Sequence, residues 1–421
     1  MLAAALAVGK PASAAPTPIP SKARIVIIGA GAAGLSMAAQ LRQRLDGAEI
    51  TILDAKRQHW YQPGFTLVAG GIWDKSKVVA DNRDLMAGGV RWVEAMAAEF
   101  DPDANRVVTS KGETLTYDYL VVASGLQLNY GKIEGMSTDL IGRDGIASVY
   151  AGPEGAASTA AVLAKFTETG GVALHGRPAT EMKCAGAPLK LTFLTHARLN
   201  RAGTRGKAEI VYNAHNNAVF AVAPVHEKVS ALYKEKGIKV NYGHLLVGVD
   251  PARKRATYRT ANGNVELAYD FLHVVPPMSA PDAVKNSKLA WQSGPFAADG
   301  WIEVDEGTLL HKRYPNICAV GDVAGVRRGK TAASVKHQVP VAAENLVSVI
   351  AGKQPRARYN GYTSCPLITD IGSAMLVEFD YEGRLTPSFP FIDPLREHWA
   401  PWVMKDQLLS PIYFAMVKGR F

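Results

Sequence analysis

Cysteine is scarce in this chain. There are three in 421 residues, an odd number, which excludes a structural disulfide framework and leaves room for one reactive pair and a spare. No run is long and apolar enough to cross a bilayer as a helix. Blocks of like charge are also missing: 47 Lys and Arg stand against 38 Asp and Glu, a net charge of +9 that is scattered along the chain. No basic stripe carries interleaved aromatics, so nucleic acid is not an expected partner. No metal-ligand set is expected either. With 48% apolar and 20% charged residues, disorder is excluded for the bulk of the chain. The basic balance permits an anionic membrane surface or an anionic substrate and selects neither.

What is present begins with "MLAAALAVGKPASAAPTPIPSKA", small and apolar, then rich in Ala and Pro. Residues 1–21 read as the end of a secretory signal or as a leader without fixed structure. The next stretch, "ARIVIIGAGAAGLSMAAQLRQRL", carries a chemical signal. A β-branched strand at Ile25–Ile28 runs into Gly29-Ala30-Gly31-Ala32-Ala33-Gly34, then a helical pattern, then a second strand ending in Asp54. This is the full context of a dinucleotide fingerprint. Gly29 permits the tight turn, Gly31 lets the backbone approach a pyrophosphate, and Gly34 lets helix and strand pack closely, with Ala33 between them. The helix N-terminus faces the phosphates. Asp54 is placed to accept hydrogen bonds from a ribose.

Two later segments specify which dinucleotide. "YDYLVVASG" ends a buried strand at Ser124-Gly125, and "YPNICAVGDVAG" ends another at Gly321-Asp322. With the fingerprint they resemble the two-dinucleotide-domain flavoproteins of the glutathione reductase type. The resemblance implies an α/β fold of two Rossmann-like domains with FAD as cofactor. It adds Ala97, Ser124, Gly125, Gly321 and Asp322 to the expected FAD contacts. The FAD domain is then split in sequence, over 22–130 and 276–350. The second Rossmann-like domain spans 131–275, and a C-terminal region follows at 351–421. In that second domain the glycine fingerprint for a nicotinamide is missing: "RPATEMK" occupies the turn after "GGVALHG", and Cys184 follows. Electrons are therefore expected to arrive by a route other than NADH.

"RQHWYQPGFTLVAGG", "KCAGAPLK", "HVVPPMSAPD", "KTAASVKHQ" and "GYTSCPL" occur in this order and resemble the sulfide:quinone oxidoreductases, in particular the branch shared with mitochondria. That resemblance implies oxidation of sulfide through a redox-active disulfide, here Cys184 and Cys365. Electrons pass to FAD and on to a membrane quinone, and sulfane sulfur passes to an acceptor or a growing polysulfide. Both cysteines are expected in small turns bounded by Pro188 and Pro366. Cys318, inside a strand, reads as an inert core residue. Lys330 and the helix starting near Thr331 are expected to stabilise negative charge on the reduced flavin, and Gln62 to lie along the FAD. Phe389 and Phe391 are expected to sandwich the quinone ring. His59 and His337 read as satisfied packing residues.

The C-terminal stretch "PSFPFIDPLREHWAPWVMKDQLLSPIYFAMVKGRF" mixes aromatics, Leu and Met with Lys and Arg. It reads as a separable membrane-associating segment, too short to span, with Lys405, Lys418 and Arg420 meeting anionic headgroups. Together with the leader it implies a peripheral membrane protein at the periplasmic face of a bacterial inner membrane, the cytoplasmic face being the alternative. Homo-oligomerisation is left open. The competing enzyme reading is a type II NADH:quinone dehydrogenase, and the competing non-enzyme reading is a flavoprotein scaffold.

Overall fold

Two five-stranded parallel sheets, each with a three-stranded antiparallel sheet beside it in sequence, organise the chain. The computed structural model describes residues 17–420. Most of the stretch read as a leader lies outside the described residues, but Ile19–Pro20 at its end pairs in parallel with Leu45–Asp46.

In the first sheet the strands lie side by side in the order Ile317–Ala319, Tyr119–Val122, Arg24–Ile28, Glu49–Leu53 and Arg91–Val93. The central strand, Arg24–Ile28, is paired on both edges, and its run of Ile and Val is buried on both faces, as in a parallel sheet covered on each side. Each such side chain contributes roughly 1.5–3 kcal/mol through burial. Cys318 faces Val121 in this sheet, is 0% exposed, and burial pushes its thiol up to about 12.

The second sheet has the order Ile146–Ala147, Phe271–His273, Gly171–Gly176, Ala208–Asn213 and Lys239–Asn241. A hairpin, Thr363–Asp370 with Ser373–Phe379, then packs on helix Ala187–Arg201.

The C-terminus packs on the body of the protein instead of standing apart as a separable segment. Trp399–Val403, a π-helical turn at Met404–Leu408 and Leu409–Val417 form one continuous helical run. Pro411 has no N–H and would crowd the carbonyl one turn back, and the widened π-turn lies next to it. This run docks on the fingerprint helix Ala32–Arg44. Ser36 Oγ donates to the Met416 carbonyl at 3.4 Å and Gln43 Nε2 to the Gly419 carbonyl at 2.7 Å. Trp73 Nε1 donates to Asp406 Oδ1 at 2.6 Å. Tyr413 lies 2.8 Å from His59 Nε2, while His59 Nδ1 is 2.9 Å from Asn82 Oδ1. The segment is thus part of the FAD-side core and cannot be removed without opening that core. Among the described residues no helix is long and apolar enough to cross a membrane.

Candidate active site

The fingerprint turn has the geometry of a nucleotide cradle. Gly29 adopts φ +102°, and a Cβ there would lie 2.5 Å from the Ala123 carbonyl oxygen. A Cβ on Gly34 would lie 1.8 Å from the Gly29 carbonyl oxygen, so helix and strand close up only around glycine. Gly31 is the opposite case. Its φ is −80° and a Cβ there would meet nothing within 4 Å, so its outer side is open to a ligand. Gly125 is likewise open, and Ser124 Oγ beside it is buried without a partner. Asp54 Oδ2 accepts from the Ala30 N–H at 2.6 Å, which ties the end of the second strand to the turn. A cradle of this shape, with an orphaned hydroxyl and open glycines, fits a dinucleotide. Gln62 is exposed and opens a short 3₁₀ turn, with Tyr61 buried beneath it. Ala97 begins the first strand of the antiparallel sheet that follows the Arg91–Val93 edge.

The two redox candidates, far apart in sequence, meet. Cys184 precedes helix Ala187–Arg201, whose first turn carries Pro188. Cys365 lies in strand Thr363–Asp370 opposite Val377, not in a turn, and Pro366 is accommodated because this hairpin has only two strands. Gly186 makes the approach feasible: a Cβ there would sit 2.4 Å from Cys365 Sγ. Each cysteine is the largest influence on the other's ionisation, and both are free. Cys184 has φ +46°, a conformation L-residues avoid.

Two lysines that sequence reasoning did not assign to chemistry flank this pair. Lys190 Nζ lies 3.7 Å from Cys184 Sγ and is buried. Lys405, expected at lipid headgroups, is instead 2% exposed, and its ammonium donates to the Pro63 carbonyl. Burial lowers Lys405 to about 7; Lys190 lowers it further, and both cysteines oppose this. Cys365 draws Cys184 far below the usual thiol range against the cost of burial, with Lys190 and Lys405 assisting. Cys184 and burial push Cys365 up. Lys190, 3.7 Å from Cys184 Sγ, favours negative charge on that sulfur.

Lys330 joins this centre to the cradle. Its carbonyl accepts the Cys184 N–H at 3.0 Å. Its ammonium donates to the carbonyls of Asp322, at 2.6 Å, and Ala324, at 3.2 Å, and sits 3.6 Å from the centroid of the Trp301 ring. Burial pulls it down to about 8, opposed chiefly by Asp322. The Asp322 carboxyl is itself raised by burial, against Lys183 and Lys330. Gly321, at φ +76°, turns the chain between the strand and Asp322. Thr331 caps helix Ala332–Ile350 by accepting from the Ser334 N–H at 3.1 Å, and its hydroxyl lies 2.9 Å from Thr363 Oγ1 in the Cys365 strand.

Phe389 and Phe391 are not arranged as expected. Their rings meet edge to face, centroids 6.0 Å apart at 62°, so they form one aromatic tip rather than two walls of a slot. Phe391 is 80% exposed. The loop is tied to the cysteine hairpin through Ser388, whose N–H donates to Glu378 Oε2 at 2.7 Å.

The anionic character of Cys184 gives a measurable consequence. In reduced protein its alkylation by iodoacetamide is expected to continue well below the pH at which ordinary thiols protonate. Lys190→Met removes a neighbouring cation, so the alkylation midpoint is expected to rise by about 1–3 pH units, because loss of an opposite charge disfavours the anion. An unchanged midpoint would mean that Lys190 does not act on the thiolate.

The pyridine nucleotide-disulphide oxidoreductase family pattern matches residues 23–344. A mitochondrial sulfide:quinone oxidoreductase of Dictyostelium discoideum is 35% identical, over 94% of this chain and 86% of that protein. Its mouse (Mus musculus) counterpart is 34% identical, over 93% of this chain and 86% of that protein. The crystal structure of the Aquifex aeolicus sulfide:quinone oxidoreductase superposes with a TM-score of 0.79 at 20% identity, covering 94% of this chain and 92% of that one, a likeness of fold. By fold and site the class is that of the FAD-binding disulphide oxidoreductases. Within it, the chain belongs to the sulfide:quinone oxidoreductase family.

Proposed function

We propose that this flavoenzyme oxidises sulfide at the Cys184–Cys365 pair and delivers the electrons to quinone. The observation that carries the reading is the meeting of the two sulfurs beside Lys190 and Lys405. Hydrosulfide is anionic, and buried ammonium groups favour its entry. In the oxidised pair its sulfur attacks Cys365 Sγ. An S–S bond forms to Cys365, the Cys184–Cys365 bond breaks, and the electron pair leaves on Cys184. Lys190 Nζ, 3.7 Å from Cys184 Sγ, favours this direction, because a thiolate beside a cation is the better leaving group. A nucleophilic acceptor then takes the outer sulfur and leaves Cys365 as a thiolate. FAD, when bound, would supply the two-electron oxidant that lets the dithiolate return to the disulfide and would be reoxidised by quinone.

Lys330 holds Cys184 through its carbonyl and points its ammonium at the Asp322 turn, the arrangement expected of a group that balances charge between cysteine and flavin. Gly31, Gly34, Ser124, Gly125, Asp54 and Asp322 would hold the cofactor. Contact with a membrane surface is supported by Phe391 and Trp399, 80% and 57% exposed, with Lys418 and Arg420 exposed nearby in sequence. Nothing resembling a nicotinamide turn follows strand Gly171–Gly176: the next helix begins only at Ala187.

Purified FAD-loaded protein is expected to reduce decylubiquinone when given sulfide and an acceptor such as sulfite or a thiol. Quinone reduction supported by NADH and not by sulfide would replace this reading with that of a type II NADH dehydrogenase.

A further inference from the structure

The carboxyl edge of the second sheet is where an open α/β sheet binds ligands. A cavity of ≈ 20 Å³ opens there, lined among others by Arg177, Pro178, Asn213, Tyr258 and His273. It is far too small for a nicotinamide. It exceeds the roughly 10–15 Å³ that one water or one water-sized ion requires.

The groups around it are donors. His273 is 2% exposed. Its Nε2 accepts the Val149 N–H at 3.4 Å, so the proton of the neutral ring resides on Nδ1, which is buried and has no partner. Burial holds that ring neutral, pushing it down to about 3. Arg177 Nε is buried without a partner, and among the described residues the guanidinium makes no ion pair or hydrogen bond. Asn213 is already committed: its Nδ2 donates to the His175 carbonyl at 3.2 Å and its Oδ1 accepts from Asn241 at 3.0 Å. His175 and His215, close to lining residues in sequence but not lining the cavity themselves, also have unpartnered ring nitrogens, and no carboxylate is among the groups that act on either. Arg177 is partly exposed, but its Nε and the His273 Nδ1 are buried donors without a partner, and no acid among the described residues pairs with the guanidinium; an anion is the group that meets both needs. A water would satisfy the buried donors; an anion would satisfy them and also pair with the partly exposed Arg177.

We propose that this domain, having lost its dinucleotide turn, binds a single halide-sized anion between Arg177 and the Nδ1–H of His273. Chloride and hydrosulfide share that size and charge. The second is of interest because the cavity lies one side-chain layer from the redox centre. Tyr150 stacks on His273, ring centroids 6.5 Å apart, and its hydroxyl donates to the Cys184 carbonyl at 3.2 Å. An anion here would be held beside the residue that positions the Cys184 backbone.

The test uses FAD-loaded, full-length protein. Crystals soaked in bromide are expected to show an anomalous peak within hydrogen-bond distance of Arg177 and His273 Nδ1. In solution, protein-dependent broadening of the chloride NMR line at fixed ionic strength is expected, with most of it lost in Arg177→Gln and retained in Arg177→Lys. His273→Gln gives a second reading should the Arg177 variants fold poorly. Sulfide, added anaerobically once the flavin is fully reduced, removes the broadening if hydrosulfide shares the site; chloride is the ligand if the broadening persists. The proposal is overturned by an ordinary water at this position after the soak, or by equal broadening in wild type, Arg177→Gln and His273→Gln. A bromide peak without solution broadening means an adventitious ion only, and also overturns it.

Discussion

Cys184→Ser and Cys365→Ser proteins are expected to purify yellow and folded, with sulfide-dependent quinone reduction lowered by at least about 10³-fold, which is ~4 kcal/mol in the barrier. The flavin cradle is built from other segments, so occupancy should match wild type. Each serine leaves one sulfur without its partner, and no S–S bond remains for hydrosulfide to open. The variants should differ from each other in one respect. Cys365→Ser keeps the thiolate-stabilising lysines around Cys184 and so keeps a cysteine reactive at low pH. Cys184→Ser leaves Cys365 as a buried thiol. Cys318→Ser, in the centre of a parallel strand with its thiol pushed up to about 12, is expected to retain nearly full activity. The measurement is steady-state quinone reduction with flavin-to-protein ratio as control. Full activity in either of the first two variants would remove the cysteine pair from the mechanism.

Gly31→Leu is expected to give a folded protein with almost no flavin. The backbone at Gly31 has an ordinary φ, and an added Cβ meets no protein atom within 4 Å, so the chain tolerates the side chain. The side chain instead fills the open side of the turn, where a pyrophosphate would approach the helix N-terminus. Gly34→Val differs: a Cβ 1.8 Å from the Gly29 carbonyl forces helix and strand apart, so loss of fold is expected together with loss of flavin. Visible absorbance against protein concentration, with circular dichroism for the fold, separates the two. A fully flavinated Gly31→Leu protein would mean that the dinucleotide does not use this turn.

The contrast between those two glycines explains what was legible in the sequence. The strand–turn–helix–strand–acid unit is local, so spacing alone carries its geometry, and the parallel FAD-domain sheet follows from it. The cysteine pair was legible through motif resemblance, not geometry. Nothing in "KCAGAPLK" says that Gly186 would admit Cys365 Sγ, and Cys365 was expected in a turn where the chain instead forms a strand. Lys190 ends that same motif, on the first turn of a helix, and its nearness to Cys184 could have been inferred from helical placement. Lys405 could not. Its surroundings are amphipathic, and amphipathicity looks the same whether the apolar face meets lipid or the protein's own core. Tertiary packing against the fingerprint helix and Trp73 decided between them. The edge-to-face contact of Phe389 and Phe391 is equally a property of a loop conformation that composition does not encode.

The central claim is that electrons enter from sulfide through the cysteine pair and not from a nicotinamide. It is tested most directly by anaerobic titration of the purified, FAD-loaded protein while following the visible absorbance of the flavin. Sulfide is expected to bleach it rapidly, excess NADH to leave it unchanged, and decylubiquinone to restore it. Rapid bleaching by NADH, with none by sulfide, would contradict the account.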